Sequence, residues 1–268
     1  MENKIQKFTT SEKIITSEHI ASTIQADTLF TFTKKSEYMF EWLKEKQMFP
    51  RYNREDVEYL RLNEIKRIAY PMKCFCDINL HKLEDHLRFY GHYGLAFTKE
   101  WGMKKGIQPV HYINSESELA NDFSAVIEKL FKEIGDEVES EELNFLKSYA
   151  IHQLMYSKPY SGKMGEQEKC FTDECEWRFV PNVSDILPQV LYEETQLQDD
   201  FLNILNLKIK KQVYSLEFEY KDIKYIILDN EKDLQPLSEF INKTEISERD
   251  KYLLMSKIIV WDKSKGDF

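Results

Sequence analysis

Most of the features that disclose a function at a glance are missing from this chain. No window of its 268 residues approaches the ~18 uncharged apolar residues of a membrane span, and the opening MENKIQKFTTSEKII lacks the apolar core of a secretory leader. A soluble, cytoplasmic protein without a membrane partner is expected. The patterns G-x-x-x-x-G-K-[ST], G-x-G-x-x-G and H-E-x-x-H are absent, which removes support for P-loop, dinucleotide-fold and zincin chemistry. Positive charge is also scarce: 37 Lys and Arg stand against 47 Asp and Glu, a net charge of −10. That balance excludes a protein that coats nucleic acid or anionic membrane over its whole surface, because both need a cationic footprint. A local basic groove remains open.

Cysteine is sparse as well. The four cysteines fall as two close pairs, Cys74/Cys76 and Cys170/Cys175, matching neither a disulfide scaffold nor C-x₂-C zinc spacing. Residues two apart on a strand share a face, so the four could meet as a Cys₄ metal site. The favoured reading is four small buried hydrophobes and no metal.

What is present suffices for a core: 42% of residues are hydrophobic and 13% aromatic. Residues 1–28 are polar, with one helix expected near Ser11–Ile24. Leu29–Thr33 reads as a strand, and Ser36 is placed to cap a helix reaching Lys46, with Met39, Phe40 and Leu43 on its apolar face. Residues 50–68 are charge-rich and expected at the surface. Lys73–Ile78 reads as a buried strand. Leu80, Leu83, Leu87 and Tyr90 recur at helical spacing, and Gly91 ends that helix.

Further on, Tyr93–Phe97 and Val110–Ile113 read as strands separated by the turn-rich Trp101–Gly106. An apolar stripe from Leu119 to Ile134, interrupted by Gly135, and a second helix over Glu141–Tyr156 form a helical insertion at about 115–157. The loop Ser157–Gln167 is expected to be mobile. Glu176–Pro181 alternates as a strand stopped by proline. Val213–Tyr220 and Lys224–Leu228 read either as a hairpin about Lys221-Asp222 or as one strand followed by a second, and helices are expected at Asp233–Ile241 and Ser247–Ile258. The fold class is α+β: a mixed or antiparallel sheet core with flanking helices in one domain over 29–268, preceded by the extension 1–28.

Two blocks carry a resemblance. Tyr70-Pro71-Met72-Lys73-Cys74-Phe75-Cys76-Asp77-Ile78, His86, Tyr90–Gly102 and Pro109-Val110-His111-Tyr112 form the first; Phe171–Pro181, containing Glu174-Cys175-Glu176-Trp177-Arg178, is the second. In order and spacing, from about Leu29 to Leu228, they resemble the AbiGi-type abortive-infection proteins. That resemblance implies phage defence, with a cognate toxin or antitoxin protein as partner.

A more distant likeness concerns chemistry. Leu29–Thr33 followed by an amphipathic helix is similar to the opening of ADP-ribosyltransferases such as the DNA-modifying toxin DarT. The likeness implies an ADP-ribosyltransferase-like fold, NAD as co-substrate and a nucleic-acid or protein acceptor. Glu176 becomes the catalytic carboxylate, with Glu174 orienting the acceptor. Thr31, Thr33, Tyr90, Tyr93 and Arg178 become the NAD-binding residues. Departure of nicotinamide leaves an oxocarbenium-like ribosyl centre, which a carboxylate stabilises by its charge. The first strand has Thr31 where many such enzymes have histidine, and Arg51, Arg54 and Arg67 are equal candidates to grip phosphates.

Blander readings stand beside these. Glu176 and Arg178 could be a simple salt bridge on a strand. Tyr90, Tyr93, Phe97 and Trp101 could be core rather than a stacking platform, and His86 and His92 could serve a helix end. A non-catalytic antitoxin that binds a toxin through its acidic surface is the alternative function.

Overall fold

The computed structural model describes residues 26–132, 140–164, 167–210 and 214–266. The helix expected near Ser11–Ile24 lies outside them. The chain enters the sheet through β1 (Thr28–Thr33), whose β-branched and aromatic run suits a strand with most of its residues buried. Helix α1 (Ser36–Glu45) buries Met39 and Leu43, four residues apart on one face. Ser36 does not cap it: the capping position is Lys35, with no side-chain bond, and Lys46 ends the helix in the left-handed region.

Two strands follow, β2 (Gln47–Met48) and β3 (Arg51–Asp56), and then the long β4 (Arg67–Cys76). The charge-rich segment 50–68 is at the surface only in part: its charged side chains are mostly exposed, but Tyr52, Val57 and Leu60 are buried, and β3 lines up along β4 from Arg51↔Met72 to Asp56↔Arg67. Helix α2 (Leu83–Tyr90) ends at Gly91, whose φ of 106° and closeness to the Thr33 carbonyl admit no side chain. Strand β5 (Tyr93–Thr98) leads into α3 (Lys99–Lys104), capped by the Thr98 hydroxyl. The segment read as turn-rich is therefore mostly helix, and it buries Trp101.

Strands β6 (Gln108–Pro109) and β7 (His111–Ile113) precede the helical excursion α4 (Glu118–Lys132) and α5 (Glu141–Met155). The chain returns in β8 (Ser157–Pro159), parallel to β7, and β9 (Ser161–Met164) pairs with β10 (Gln167–Cys170). The loop expected over 157–167 is thus two short strands as far as Met164, held by backbone bonds. A 3-10 turn, Phe171–Glu174, precedes β11 (Glu176–Phe179).

The last third supplies α6 (Asp199–Ile209), β12 (Leu216–Glu217), β13 (Ile223–Leu228), α7 (Leu234–Lys243), α8 (Glu248–Met255), β14 (Ile258–Val260) and α9 (Trp261–Ser264). Of the two readings of this stretch, the hairpin is not formed and the two separate strands are. β12 pairs with β2, whereas β13 sits between β5 and β14, so these two strands find distant partners. Ile258, assigned to a helix on the sequence, opens a strand.

The main sheet runs β14-β13-β5-β1-β4-β11-β6, with β3 also on β4. It is mixed, since β13 and β14 are parallel and the other pairs antiparallel. One face packs on α1, α3, α7 and α8 around Leu29, Phe75, Phe97 and Trp101. The other packs on α2 and α9 around Phe30, Cys76, Leu87 and Trp261. The α4–α5 excursion covers Ile68, Tyr70 and Met72 of β4. An α+β sheet core with flanking helices is therefore what the chain forms.

Candidate functional site

β1 and β4 meet at one register point, Phe30↔Cys76. Beyond it β1 runs on alongside β5, while β4 takes β3 as its neighbour only from Met72 onward. Between these points β4 pairs with β11 on its far side, leaving its backbone around Cys74 without a strand partner on the β1 side. The sheet is split there. A cleft of about 790 Å³ opens in the split and reaches both faces, because side chains alternate along β1 and β4.

Five of the seven residues nominated on the sequence line this cleft: Thr31, Thr33, Tyr90, Glu174 and Glu176. Thr31 and Thr33 come from β1, Tyr90 from the last turn of α2, and the two glutamates from the 3-10 turn and β11. Tyr93 and Arg178 are not on its wall. The Tyr93 hydroxyl donates to Asp233 at 3.2 Å, and burial, aided by Asp233, pushes it up to about 12. Phe97 and Trp101 stack on each other at 4.2 Å inside the core. Of the three arginines, Arg51 lines the cleft, whereas Arg54 bonds Asp199 and Arg67 bonds Glu194.

The glutamate end is a buried ionic network. Arg178, entirely buried, donates through Nε to Glu176 at 2.7 Å, through one terminal nitrogen to Glu55 at 2.9 Å and Glu176 at 3.2 Å, and through the other to the Met155 carbonyl and the Tyr70 hydroxyl. The salt bridge allowed for on the sequence exists, but under the surface rather than on an exposed strand. Lys158 of β8 joins Glu174 at 2.5 Å to Glu176 at 2.7 Å. Lys169 and the Tyr90 hydroxyl complete Glu174 at 2.7 and 2.6 Å.

The protonation states follow. Burial alone would raise Glu176, but Arg178 and Lys158 outweigh it and hold the carboxyl far below the usual range. Glu174 is lowered for the same balance of reasons, through Lys158, Lys169 and Tyr90. Burial would lower Lys158, yet Glu176, Glu55 and Glu174 raise it well above its ordinary value. Both glutamates are ionised and their oxygens engaged.

Lys158, Lys169 and Glu55 escaped the sequence reading because they lie on strands that pattern alone did not assign. Cys175 was marked as a cysteine, not for its backbone: a non-glycine residue at φ 41°, it turns the chain sharply between the two glutamates. The cysteines do not assemble, and among the described residues no group of three or more His, Cys, Asp or Glu is placed to hold a metal ion.

The other end of the cleft differs in character. The Lys73 ammonium lies 3.9 Å from the centroid of the Trp42 ring, a cation–π contact, and burial lowers it to about 8. Arg51 sits one step away across the β3–β4 pair. His86 stacks 4.3 Å from Tyr90 and packs on Phe32, and burial lowers it to about 4, so it is neutral at pH 7. His92 instead pairs with Asp229 at 2.5 Å, away from the cleft.

A family profile described as "Putative abortive phage resistance protein AbiGi, antitoxin" matches residues 46–229, spanning β3, β4, both glutamates and β13. The chain belongs to the AbiGi family. A relative from Lactococcus lactis subsp. cremoris, "Abortive phage resistance protein AbiGi", is 32% identical over 245 residues, 82% of this chain and 98% of the relative. AbiGi membership ties the chain to abortive phage resistance. No solved structure matches it. Among the described residues no helix is long and apolar enough to cross a membrane.

Proposed function

We propose that this AbiGi-family chain is the antitoxin of an abortive phage-resistance pair and restrains its toxin by binding, not by catalysis. The observation that carries the reading is the state of Glu176. A carboxylate that must meet a developing ribosyl cation needs an oxygen free to face it. Here one oxygen accepts from Arg178 and the other from Lys158 and Arg178. The family's description as an antitoxin agrees. A binding surface is also at hand. Helix α5 buries Ala150, Leu154 and Met155 on one face and exposes Phe145 (69%), Leu146 (52%) and Tyr149 (56%) on another, with Glu141 and Glu142 beside them. An apolar stripe edged by acids suits a partner with a basic, partly apolar surface.

Co-expression with the adjacent toxin gene tests this. The chain should be harmless alone and should rescue growth. Leu146→Asp with Tyr149→Asp should abolish rescue while leaving the melting temperature within about 2 °C, since both side chains are exposed.

The convergence of Thr31, Tyr90, Glu174 and Glu176 on one cleft favours a second reading, an NAD-dependent ADP-ribosyltransferase with Glu176 as its carboxylate. Toxicity of the chain alone, with NAD cleavage that Glu176→Gln abolishes, would establish that reading and overturn the antitoxin.

A further inference from the structure

The cations of the cleft are unequal. Lys158 is neutralised by Glu174 and Glu176, and Lys210 by Glu41 at 3.3 Å. Lys73 and Arg51 have no carboxylate within ion-pair distance among the described residues, although the chain carries ten more acids than bases. Arg51 shares the face of Met72 and Lys73 takes the other, but both line the cleft at one mouth of the split, where the β3–β4 pair ends, and the Arg51 charge is close enough to act on the Lys73 ammonium, so one anion can meet both. Lys73 is parked over Trp42, a contact weaker than a charge-assisted hydrogen bond to a phosphate.

From that mouth the cleft passes the open backbone edge at Cys74 and the rings of Phe30, Phe32 and Phe75. It ends at His86, Tyr90 and the ionised Glu174–Glu176 pair on the opposite face of the sheet. One end therefore attracts a negative group, the middle is aromatic, and the far end, where Glu174 and Glu176 are already paired with Lys158, Lys169 and Arg178, offers no free cation for a second negative group. The volume of about 790 Å³ falls in the range of small-molecule sites.

We propose that the cleft binds a nucleoside 5′-monophosphate, its phosphate on Lys73 and Arg51 and its ring among the phenylalanines toward His86. The site is independent of the toxin-binding reading: it is assayed with the chain alone, by binding rather than by rescue or turnover. The experiment is calorimetric titration of the full chain with AMP, GMP, CMP and UMP, with adenosine and inorganic phosphate as separate arms, and Trp42 fluorescence as a second signal.

At least one nucleotide is expected to saturate, binding about tenfold or more tightly than adenosine or phosphate alone. Lys73→Met and Arg51→Gln should each weaken it about tenfold, and Lys73→Arg should restore most of the affinity. Arg51 is exposed on an edge strand, so its variant reports on the site even if Lys73→Met folds poorly. Affinity should fall as pH rises through about 8, where Lys73 loses its proton. Absence of saturation by all four nucleotides at about 5 mM, or binding indifferent to both substitutions, overturns the proposal. So does phosphate binding as tightly as the nucleotides.

Discussion

Arg178 has the most exacting position of any side chain in the structure. It is fully buried, and burial opposes its charge, but Glu176 and Glu55 together more than offset that cost and raise it. Such a network adds little net stability over an apolar core, yet it is unforgiving of partial loss. Arg178→Met removes the guanidinium, leaves the buried Glu176 with Lys158 alone, and takes the Arg178 partner from the half-buried Glu55. A destabilisation of about 3–5 kcal/mol is expected in urea melts. A cost below about 1 kcal/mol would mean that Lys158 alone holds Glu176.

At the scale of elements, the split between β1 and β4 depends on how closely β1 and β5 can approach. Gly94 stands opposite Phe32, and a Cβ there would lie 2.5 Å from the Phe32 ring and 2.8 Å from the Thr31 carbonyl. Gly94→Ala must push β1 toward the cleft or strain the pair, so a loss of about 1–3 kcal/mol is expected by chemical denaturation.

Much of this level was legible in the sequence. β1, α2, β5, β11 and the α4–α5 helices follow from periodicity and from Gly91, because their side chains alternate or repeat within a single element. β3 was not, since its exposed, charged edge residues satisfy no apolar pattern and only pairing with β4 makes it a strand. α3 was hidden because Gly102, which reads as a breaker, is required where a Cβ would strike Leu29 at 2.3 Å. The cleft was half visible. Glu174, Glu176, Thr31 and Tyr90 were marked by type and place, while Lys158 and Lys73 became notable only when strand pairing put them beside carboxylates and an indole.

For the molecule as a whole, acid is the expected weakness. His86 is held neutral to about pH 4 by burial against Tyr90 and Phe32, whereas in the unfolded chain it takes up a proton near 6.5. Between those values the unfolded state binds more protons, so stability rises with pH and is lost as pH falls from 6.5 to 4. The contribution is roughly 2–3 kcal/mol. It should vanish in His86→Gln, whose melting midpoint should vary less with pH across that window than that of the native chain.

The parallel pairing of β7 with β8 has one further consequence. Both ends of the excursion that carries α4 and α5 are stapled side by side, His111 against Ser157 and Ile113 against Pro159. Lys158 sits inside the staple, so its position is set by β7 and not by what the helices do. Under the proposed antitoxin role, selection is thereby free to rewrite the outer surface of α5, and with it the choice of toxin, as phages and their hosts diverge. The ionic heart of the protein need not change in step.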